Sequence, residues 1–519
     1  MPLAGVTAAV ADSAPAGNPA GNWRLPAALG AALAVPLLGY AFVGSFARYA
    51  ADDYCWAGVL RTEGFLRAQM LWYTGYSPRY AFTFLVNLVE LAGPAIVPAL
   101  PAAALVAWLA TLTWTFVQFK VRLGRLKTTT SAFLLAEATA LGCLQSAPDL
   151  AQSLYWQTAM LTYLLPLVLA TFLIGWLRRA LDQPRLGARA VGVSGLVTFV
   201  AGGLSETYLI PQNVALTLAL LVCVLVAPRG APRRVAAAHL AVALGGGVLA
   251  LLTIVVAPST ASRVGGSPAD LWLASSAAIA TAAYQVLRLV RFFGPAVLLC
   301  LGLPALLATG PGRVNPRWFA LVTAGVAITL PFCYFPSFYA QNGNPPARSL
   351  IVPGTMLIGY LIFAGYSLAG LASSRVASSR VASSHLTPLA PLSSRGEGGR
   401  ISAAEQRISA AEQRTLALAR RKVPEFGRFA VVIMLALVQV GQAVAGISEQ
   451  AIAAQHAAAL WDTTDQHIRA SRDAGQTDVT VLPVPAYLGE NFVGPDRTDY
   501  FNVCVARFYG VRSIAAEAP

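Results

Sequence analysis

The sequence alternates between long apolar runs and short polar segments, many of them basic. Most runs are close to the roughly 17–25 residues that a helix needs to cross a bilayer, allowing for tilt. A shorter apolar run at 81–91 is expected to lie at the membrane interface. The pattern predicts an all-α polytopic membrane protein with about eleven transmembrane helices. These are predicted at 25–46, 95–119, 131–147, 161–177, 190–204, 207–227, 235–257, 294–309, 318–336, 349–370 and 429–447.

The short connections between the runs differ in their content of Lys and Arg. Those near 120–127, 178–189 and 229–234 are rich in basic residues, whereas those at 148–160 and 204–206 contain none. Basic connections mark the cytoplasmic side of a membrane protein. The sequence therefore predicts a multi-pass protein of the plasma (inner) membrane with a cytoplasmic N-terminus and an extracytoplasmic C-terminus.

The run at 271–293 has two interpretations. It is apolar enough to span the membrane, yet it carries Arg288 and Arg291 near its end. If it spans, the basic segments that follow would lie outside. If it lies on the outer surface as an amphipathic helix, those segments return to the cytoplasm. The second interpretation is preferred because it keeps the positive charge inside.

Two regions differ in composition from the transmembrane core at 24–370. Residues 1–23 are small and Pro-rich, and we expect a disordered cytoplasmic N-terminus. The apolar run that follows exceeds the core of a signal peptide, so an uncleaved anchor is predicted, with cleavage near Ala47 as the alternative. Residues 371–427 form a low-complexity cytoplasmic insertion in which RISAAEQ occurs twice.

The last transmembrane helix, 428–447, leads into an extracytoplasmic tail at 448–519. The tail reads as a helix at 450–474 and a short strand at 478–482, followed by an aromatic end. A segment of about seventy residues is small for an independent domain. We therefore expect a small α/β tail that docks onto the outer face of the helix bundle.

Composition supports the membrane assignment and limits the other classes. Of the 519 residues, 56% are hydrophobic and only 12% are charged, against about 25% charged in an ordinary soluble domain. The formal net charge is +14, but the basic residues lie in the short connections, so nucleic-acid binding is not predicted. The six cysteines and four histidines show no metal-binding spacing, which argues against structural zinc.

The first outer loop, 48–93, carries the strongest candidate chemistry. Asp52 and Asp53 come directly after the first apolar run, and Arg79 lies in a Ser-Pro-Arg-Tyr turn further along. Adjacent carboxylates at a membrane mouth are costly unless they face water, a cation or a substrate. Their repulsion should raise one pKa unless a metal ion or an arginine compensates. The alternative role for the pair is to cap the helix that starts near Tyr54.

Further polar and aromatic side chains collect on the same predicted side. Arginine can bind a phosphate through two hydrogen bonds, and aromatic faces suit a sugar ring or an isoprenoid. Each type also has a plainer role: snorkelling for the arginines, an interface belt for the aromatics, and an ion pair with Arg79 or a helix cap for the glutamate. Together with Arg79, the residues expected to bind the substrate are Tyr155, Trp156, Glu206, Arg263 and Arg348.

The acidic pair after the first span, the long first outer loop, the many further spans and the outer C-terminal portion together resemble the GT-C superfamily. These are membrane glycosyltransferases that use polyprenyl-phosphate sugars. A closer resemblance is to an uncharacterised bacterial multi-pass family with DDYC near the start and a W-x-x-G-R-like stretch after it. Here that stretch is altered to Trp72 followed by Ser77, Pro78 and Arg79, without the Gly before Arg. The architecture covers most of the chain apart from the insertion.

The resemblance implies transfer of a sugar from a polyprenyl-phosphate donor to a lipid or cell-envelope glycan at the outer face. Such transfer needs a base for the acceptor hydroxyl and positive charge for the leaving phosphate. Asp52 or Asp53 would be the base, and Asp53 is also a candidate ligand for a divalent cation such as Mg or Mn. Arg263 and Arg348 would hold the phosphate.

Two other functions stay open at this point. A transporter or flippase for lipid-linked sugars should show internal repeats with broken spans at matching places. No convincing repeat is found in the transmembrane core, which favours the enzyme. A non-catalytic envelope assembly protein would tolerate replacement of both aspartates by asparagine.

Cys55 and Cys504 both fall on the predicted outer side, where an oxidising compartment permits a disulfide. We expect them to pair and thereby tie the tail to the loop that carries the acidic pair. The alternative is two buried free thiols.

Overall fold

The apolar runs form helices, as their length and composition predict. The computed structural model describes residues 24–182, 187–263, 270–308, 316–341, 343–384, 425–484 and 493–517. Within these ranges, nine helices are long and apolar enough to cross a membrane. The general prediction of an all-α polytopic membrane protein is therefore confirmed. The nine are Arg24–Gly44, Pro94–Gln118, Gln157–Ala180, Glu206–Leu225, Ala231–Val255, Leu271–Phe292, Pro316–Gln341, Ala347–Gly370 and Gly427–Asp473.

These nine helices differ from the predicted set of spans at four places. Ala188–Gly202 and Gly294–Leu307 form helices that are shorter than the rest. Thr128–Ser146 is long enough, but it contains Glu137 and several hydroxyl side chains that lower its hydropathy. Conversely, Leu271–Phe292 is long and apolar enough to cross a membrane, although it was predicted to lie on the surface. The exact number of crossings thus stays a prediction.

The helices and strands are numbered in chain order. Short turns of 3-10 or π geometry connect several of them, at Trp72–Tyr76, Pro94–Ala99, Ala151–Tyr155, Met160–Leu164, Leu330–Cys333 and Ala347–Leu350. The helices and strands are α1 Arg24–Gly44, α2 Asp52–Glu63, α3 Phe65–Leu71, α4 Tyr80–Glu90, α5 Leu100–Gln118, α6 Thr128–Ser146, α7 Gln157–Ala159, α8 Leu165–Ala180, α9 Ala188–Gly202, α10 Glu206–Leu225, α11 Ala231–Val255, α12 Pro258–Arg263, α13 Leu271–Phe292, α14 Gly294–Leu307, α15 Pro316–Thr329, α16 Phe335–Gln341, α17 Ile351–Ser384, α18 Glu425–Asp473, β1 Asp478–Val481, α19 Tyr500–Tyr509 and β2 Ser513–Ala516.

Helix α6 lies in the middle of the bundle, where α1, α5, α14 and α17 pack against it. Most of its side chains are buried on every face, as expected for a helix enclosed by others. A second group, α9, α10 and α11, packs beside α8. The outer loop and the functional residues therefore rest on the ends of a well-packed bundle.

The first outer loop folds into helices rather than an open loop. The interfacial helix predicted at 81–91 is α4, which packs against α2 and α3. The N–H of Phe82 donates a hydrogen bond to the carbonyl of Gly203 at 3.2 Å, so the start of α4 is joined to the end of α9. This contact places the Arg79 turn beside the start of α10.

Helix α13 buries one face and exposes the rest. Ala274, Ala278, Ala282 and Leu289 lie on the buried face, which packs against the turn at Leu330–Cys333 and against α16. Large apolar side chains on the other faces are exposed. A surface helix and a lipid-facing span would both make these contacts, so the surface placement of α13 stays a prediction.

Helix α17 extends beyond its predicted end. The expected boundary at 370 is passed, and the backbone stays helical to Ser384. Most of the insertion predicted at 371–427, namely 385–424, lies outside the described residues, as does the N-terminus at 1–23.

Helix α18 joins two elements that were predicted separately. The last span at 428–447 and the tail helix at 450–474 form one helix of 49 residues. At 1.5 Å per residue it is about 73 Å long, which is more than twice the roughly 30 Å of a bilayer core. The tail is therefore a continuation of the last transmembrane helix, and no loop intervenes.

The C-terminal segment contains two short strands and a helix that contacts the loop at 48–93. Strands β1 and β2 pair in parallel, with Asp478 opposite Ser513. Helix α19 packs against α2. Arg48, just after α1, binds Asp462 of α18 through Nε and Nη2 at 2.7 and 2.8 Å.

Candidate functional site

The turn between α1 and α2 is fixed by side chains from two segments. The N–H of Ala50 donates to Asp53 Oδ2 at 3.0 Å, and its carbonyl accepts from Trp156 Nε1 at 3.1 Å. Ala51 adopts a φ of 47°, which residues other than glycine seldom do. Such strain persists only where the surroundings impose it, and it concentrates at functional sites.

The two predicted catalytic carboxylates have different surroundings. Asp53 is fully buried, and Thr158 Oγ1 donates to its Oδ1 at 2.7 Å. Burial, and then the nearby charge of Glu90, raise the pKa of Asp53 well above its usual value, while the charge of Asp52 adds less. Asp52 itself is half-buried. Only Asp52 can therefore contact a substrate without rearrangement of the turn.

Glu90 is a second buried acid at this site, and the sequence did not single it out. It ends α4 and is 7% exposed. Tyr49 donates its hydroxyl to Oε2, and Gln157 Nε2 donates to Oε1 at 2.6 Å. Burial raises the pKa of Glu90 to about 7, against the lowering effect of these two hydrogen bonds. The sequence feature that could have indicated Glu90 is its position as the only acid of a mostly apolar helix in the acidic loop.

Trp156 joins the acidic turn to Arg348. While its indole N–H binds Ala50, the guanidinium carbon of Arg348 lies 5.1 Å from the centre of its ring. Arg348 Nη1 donates to Gln152 Oε1 at 2.7 Å, and Ser153 Oγ donates to the Arg348 carbonyl at 3.0 Å. The structure thus brings three predicted outer segments, near residues 50, 156 and 348, to one place.

Tyr155, the neighbour of Trp156, is directed into the core. It is 1% exposed, and a Cβ added to Gly44 of α1 would lie 3.6 Å from its Cδ1. The ring therefore packs against α1 and offers no exposed face to a sugar or an isoprenoid.

Arg79 and Glu206 bind each other. Arg79 Nε lies 2.5 Å from Glu206 Oε2, and the two side chains are 20% and 24% exposed. This ion pair was the plainer role considered for Glu206. Arg79 precedes α4 and Glu90 ends it, so the length of α4, about 16 Å, separates the pair from Glu90. The two residues form a second charged group on the same loop.

Arg263 is the last residue of α12, and its side chain lies outside the described set. The helix is attached to the loop, since Ser259 Oγ donates to the carbonyl of Tyr73 at 2.7 Å. The backbone thus brings Arg263 to the Trp72–Tyr76 turn, and its predicted phosphate contact stays a prediction.

Cys55 and Cys504, the pair singled out in the sequence, are joined by a disulfide, with Cα atoms 4.6 Å apart. The contact between α2 and α19 is reinforced by Arg61, whose Nη1 donates to the carbonyl of Phe508 at 3.1 Å and whose guanidinium lies 3.9 Å from the Phe508 ring centre. Tyr54 packs edge-on against Phe508. The tail therefore packs tightly against the acidic loop and is covalently joined to it.

A divalent cation does not fit the carboxylates as arranged. In the part of the chain that is described, no group of three or more His, Cys, Asp or Glu side chains is placed to hold a metal ion. Both oxygens of Asp53 accept hydrogen bonds from Ala50 and Thr158, and a metal ion would have to displace these donors. The predicted role of Asp53 as a ligand for Mg or Mn thus gains no support.

Glu137 is a third buried acid that the sequence reading passed over. It lies in α6 with 1% exposure, and its Oε2 has no hydrogen-bond partner among the described residues. A Cβ added to Gly30 of α1 would lie 3.6 Å from this oxygen. An ionisable group inside a membrane bundle is a signal that could have been read from the run at 131–147.

The fold and the site define a polytopic helical membrane protein whose acidic loop at 48–93 is covered by its C-terminal tail. No family model, no curated protein and no solved structure matches the chain. The GT-C resemblance therefore depends on the motifs and architecture of this chain alone.

Proposed function

We propose that this protein is a GT-C-type glycosyltransferase of the plasma membrane. It would transfer a sugar from a polyprenyl-phosphate donor to a lipid or envelope glycan at the outer face, with its N-terminus in the cytoplasm. The observation that carries the proposal is the contact of Trp156 with both Ala50 and Arg348. It joins a carboxylate-bearing turn to a cation suited to a phosphate, as glycosyl transfer from a lipid phosphate requires.

The proposed chemistry assigns different roles to the acids. Asp52, the more exposed aspartate, takes the proton of the acceptor hydroxyl as that oxygen attacks the anomeric carbon. The bond from that carbon to the phosphate oxygen breaks, and the polyprenyl phosphate leaves with the electron pair. Arg348 stabilises the negative charge of the leaving phosphate. Asp53 and Glu90 are positioning residues, because both are buried and act through the turn.

Replacement of Asp52 by Asn tests the proposal. The full chain, purified into lipid nanodiscs, is given polyprenyl-phosphate hexoses together with acceptor lipids, and release of polyprenyl phosphate is measured by mass spectrometry. Asp52→Asn should lower the rate by at least about 100-fold, since it removes the general base. Glu63→Gln is the matched control: its carboxylate lies on the same helix and pairs with Arg67 at the surface, so its rate should equal that of wild type.

Two outcomes would replace the proposal. If labelled lipid-linked sugar crosses the bilayer of proteoliposomes uncleaved, the protein is a transporter or flippase. If Asp52→Asn and Asp53→Asn leave both transfer and envelope phenotype unchanged, a non-catalytic assembly role is the better explanation.

A further inference from the structure

Four aromatic side chains form a continuous row from the core of the outer loop to its surface. The ring centres of Trp56 and Trp72 are 4.1 Å apart, and those of Trp72 and Tyr76 are 5.5 Å apart. Tyr76 then stacks on Tyr500 of the tail, with centres 6.2 Å apart and ring planes within 12°. The row therefore crosses from the loop to the tail.

The row is anchored at one end and open to solvent at the other. Trp56 is 1% exposed and Trp72 is 7% exposed, whereas Tyr500 is 47% exposed. Tyr76, between them, is half-buried. Two stacked rings from separate segments thus present aromatic surface to water beside a candidate active site, where contiguous apolar surface usually marks a binding site.

Polar groups without partners lie along the buried part of this row. The indole N–H groups of Trp56 and Trp72 and the hydroxyl of Ser77 are buried with no hydrogen-bond partner among the described residues. Buried polar groups are normally satisfied, so each of these groups needs an explanation, such as water or a ligand. They belong to the buried end of the row, so contact with a ligand is left to the exposed end at Tyr500.

Asp52 adds a carboxylate at the open end of the row. Asp52 begins α2 and lies one turn before Trp56 on the same face of that helix, and its charge adds to the effect of burial in raising the pKa of the Tyr500 phenol. Tyr500 is held in place by the disulfide, because Cys504 lies one turn further along α19 on the same face and is bonded to Cys55. The disulfide therefore holds the stacked rings at a fixed position relative to Asp52 of α2.

An apolar face with a carboxylate at its edge is complementary to a sugar ring. A pyranose ring has a face of C–H groups, which stack on aromatic rings, and a rim of hydroxyls, which donate to a carboxylate. A nucleotide phosphate would be repelled by Asp52, and a hydrocarbon chain would leave the carboxylate without a hydrogen-bond donor. The surface is thus selective for a sugar.

We infer that Tyr76 and Tyr500, with Asp52 at their edge, bind a pyranose ring, and that the tail is therefore one wall of the substrate site. The inference deepens the proposed function, on which it rests, by assigning the tail to sugar recognition. The acceptor glycan and the donor both present a pyranose ring, and a competition experiment separates these two sources.

The test measures saccharide binding without any transfer. The full chain in nanodiscs is titrated with methyl pyranosides and short oligosaccharides of glucose, galactose, mannose and N-acetylglucosamine, and binding is read by saturation-transfer-difference NMR. Tyr500→Ala should weaken binding about tenfold, and Tyr76→Ala should do the same from the loop side. Tyr500→Phe keeps the ring and should bind like wild type.

Tyr339→Ala is the matched control. Tyr339 is 43% exposed and stacks on Phe335 of the same helix, which packs against α10, α13 and the turn at Leu330–Cys333, so its loss should leave saccharide binding unchanged. Formation of the Cys55–Cys504 disulfide, checked by non-reducing mass mapping, verifies that each variant has folded with its tail docked.

The outcomes separate this inference from the proposed function. Binding that depends on Tyr500 in a protein that transfers no sugar would support the surface and defeat the transferase. Transfer that proceeds equally in wild type and Tyr500→Ala, or a wild type that binds no saccharide of the panel, would overturn the surface. If Tyr500→Phe loses as much as Tyr500→Ala, stacking is not the cause. Added polyprenyl-phosphate hexose should displace the saccharide if the surface holds the donor, and should bind alongside it if the surface holds the acceptor.

Discussion

Two buried carboxyl groups flank the turn at Ala50, and burial favours their protonated forms against the opposing effect of their hydrogen bonds. Asp53 accepts from Ala50 and Thr158, and Glu90 accepts from Tyr49 and Gln157. Both pKa values are raised, chiefly by burial. At neutral pH the region therefore holds a proton that an exposed acidic pair would have lost, and this limits the charge that the turn must tolerate.

Stability should consequently fall with rising pH through Glu90. Its pKa in the folded state, about 7, exceeds the ordinary 4.5, so the folded state binds the proton more tightly. The contribution is fully present below about 4.5 and is lost as the pH rises through about 7, a change of about 3 kcal/mol. Glu90→Gln should remove this dependence.

Thermal unfolding in nanodiscs at pH 5, 6, 7 and 8 measures the effect. The melting temperature of wild type should fall relative to Glu90→Gln across this series, with the largest gap at pH 8. Parallel pH profiles of the two proteins would show that Glu90 does not hold a proton.

At the residue scale, the acidic pair could be predicted from the sequence, but the different roles of its two aspartates could not. Asp52 and Asp53 are adjacent and chemically identical, so burial alone distinguishes them. Glu90 was missed for a related reason: an acid at the end of a short apolar helix resembles an ordinary helix end until Tyr49 and Gln157 are seen to bind it.

Among the elements, the turn before α2 carries the local strain. Ala51 has a φ of 47°, a conformation that glycine adopts without a Cβ clash. Ala51→Gly should therefore stabilise the protein by about 1 kcal/mol, within the range expected for strain of this kind, and raise the melting temperature.

Ala57→Gly is the control, since Ala57 lies inside α2 and glycine there should cost about 1 kcal/mol. The melting temperatures of the two variants, measured in parallel, test whether the turn is strained. If Ala51→Gly lowers the melting temperature as much as Ala57→Gly, the turn is not strained.

Element boundaries show where local pattern is insufficient. The apolar periodicity of the last span ends near residue 447, and the polar helix after it looks separate in the sequence, yet α18 runs unbroken from Glu425 to Asp473. The stretch contains no proline that would end the helix, so the helix continues beyond the apolar span. The tertiary contact of Arg48 with Asp462 fixes its outer part against the end of α1.

For the whole molecule, the disulfide bears on the topology. Cys55 and Cys504 are bonded, so the acidic loop and the tail lie on the same side of the membrane. The number of crossings between them must therefore be even. With α13 on the surface and every other predicted span crossing, the number is even; if α13 also crossed, it would be odd.

Labelling by a membrane-impermeant maleimide tests this topology in intact cells. Arg317→Cys, at the start of α15, should react only after permeabilisation, because a surface position of α13 places this residue inside. Gln476→Cys in the exposed tail should react in intact cells. Labelling of Arg317→Cys from outside would mean that α13 spans the membrane and that the other predicted spans need revision.

The sequence by itself determined that this is a helical membrane protein, because lipid leaves an apolar chain few other ways to satisfy its backbone. It also selected the acidic pair, Trp156, Arg348 and both disulfide cysteines, since charged, aromatic and thiol groups outside the apolar runs are few. Tertiary structure alone decided which aspartate is accessible, that Arg79 and Glu206 neutralise each other, that Tyr155 turns inward, and that Tyr500 of the tail meets Tyr76 of the loop. The physical reason is that burial and partners depend on contacts between segments hundreds of residues apart, which no local pattern records.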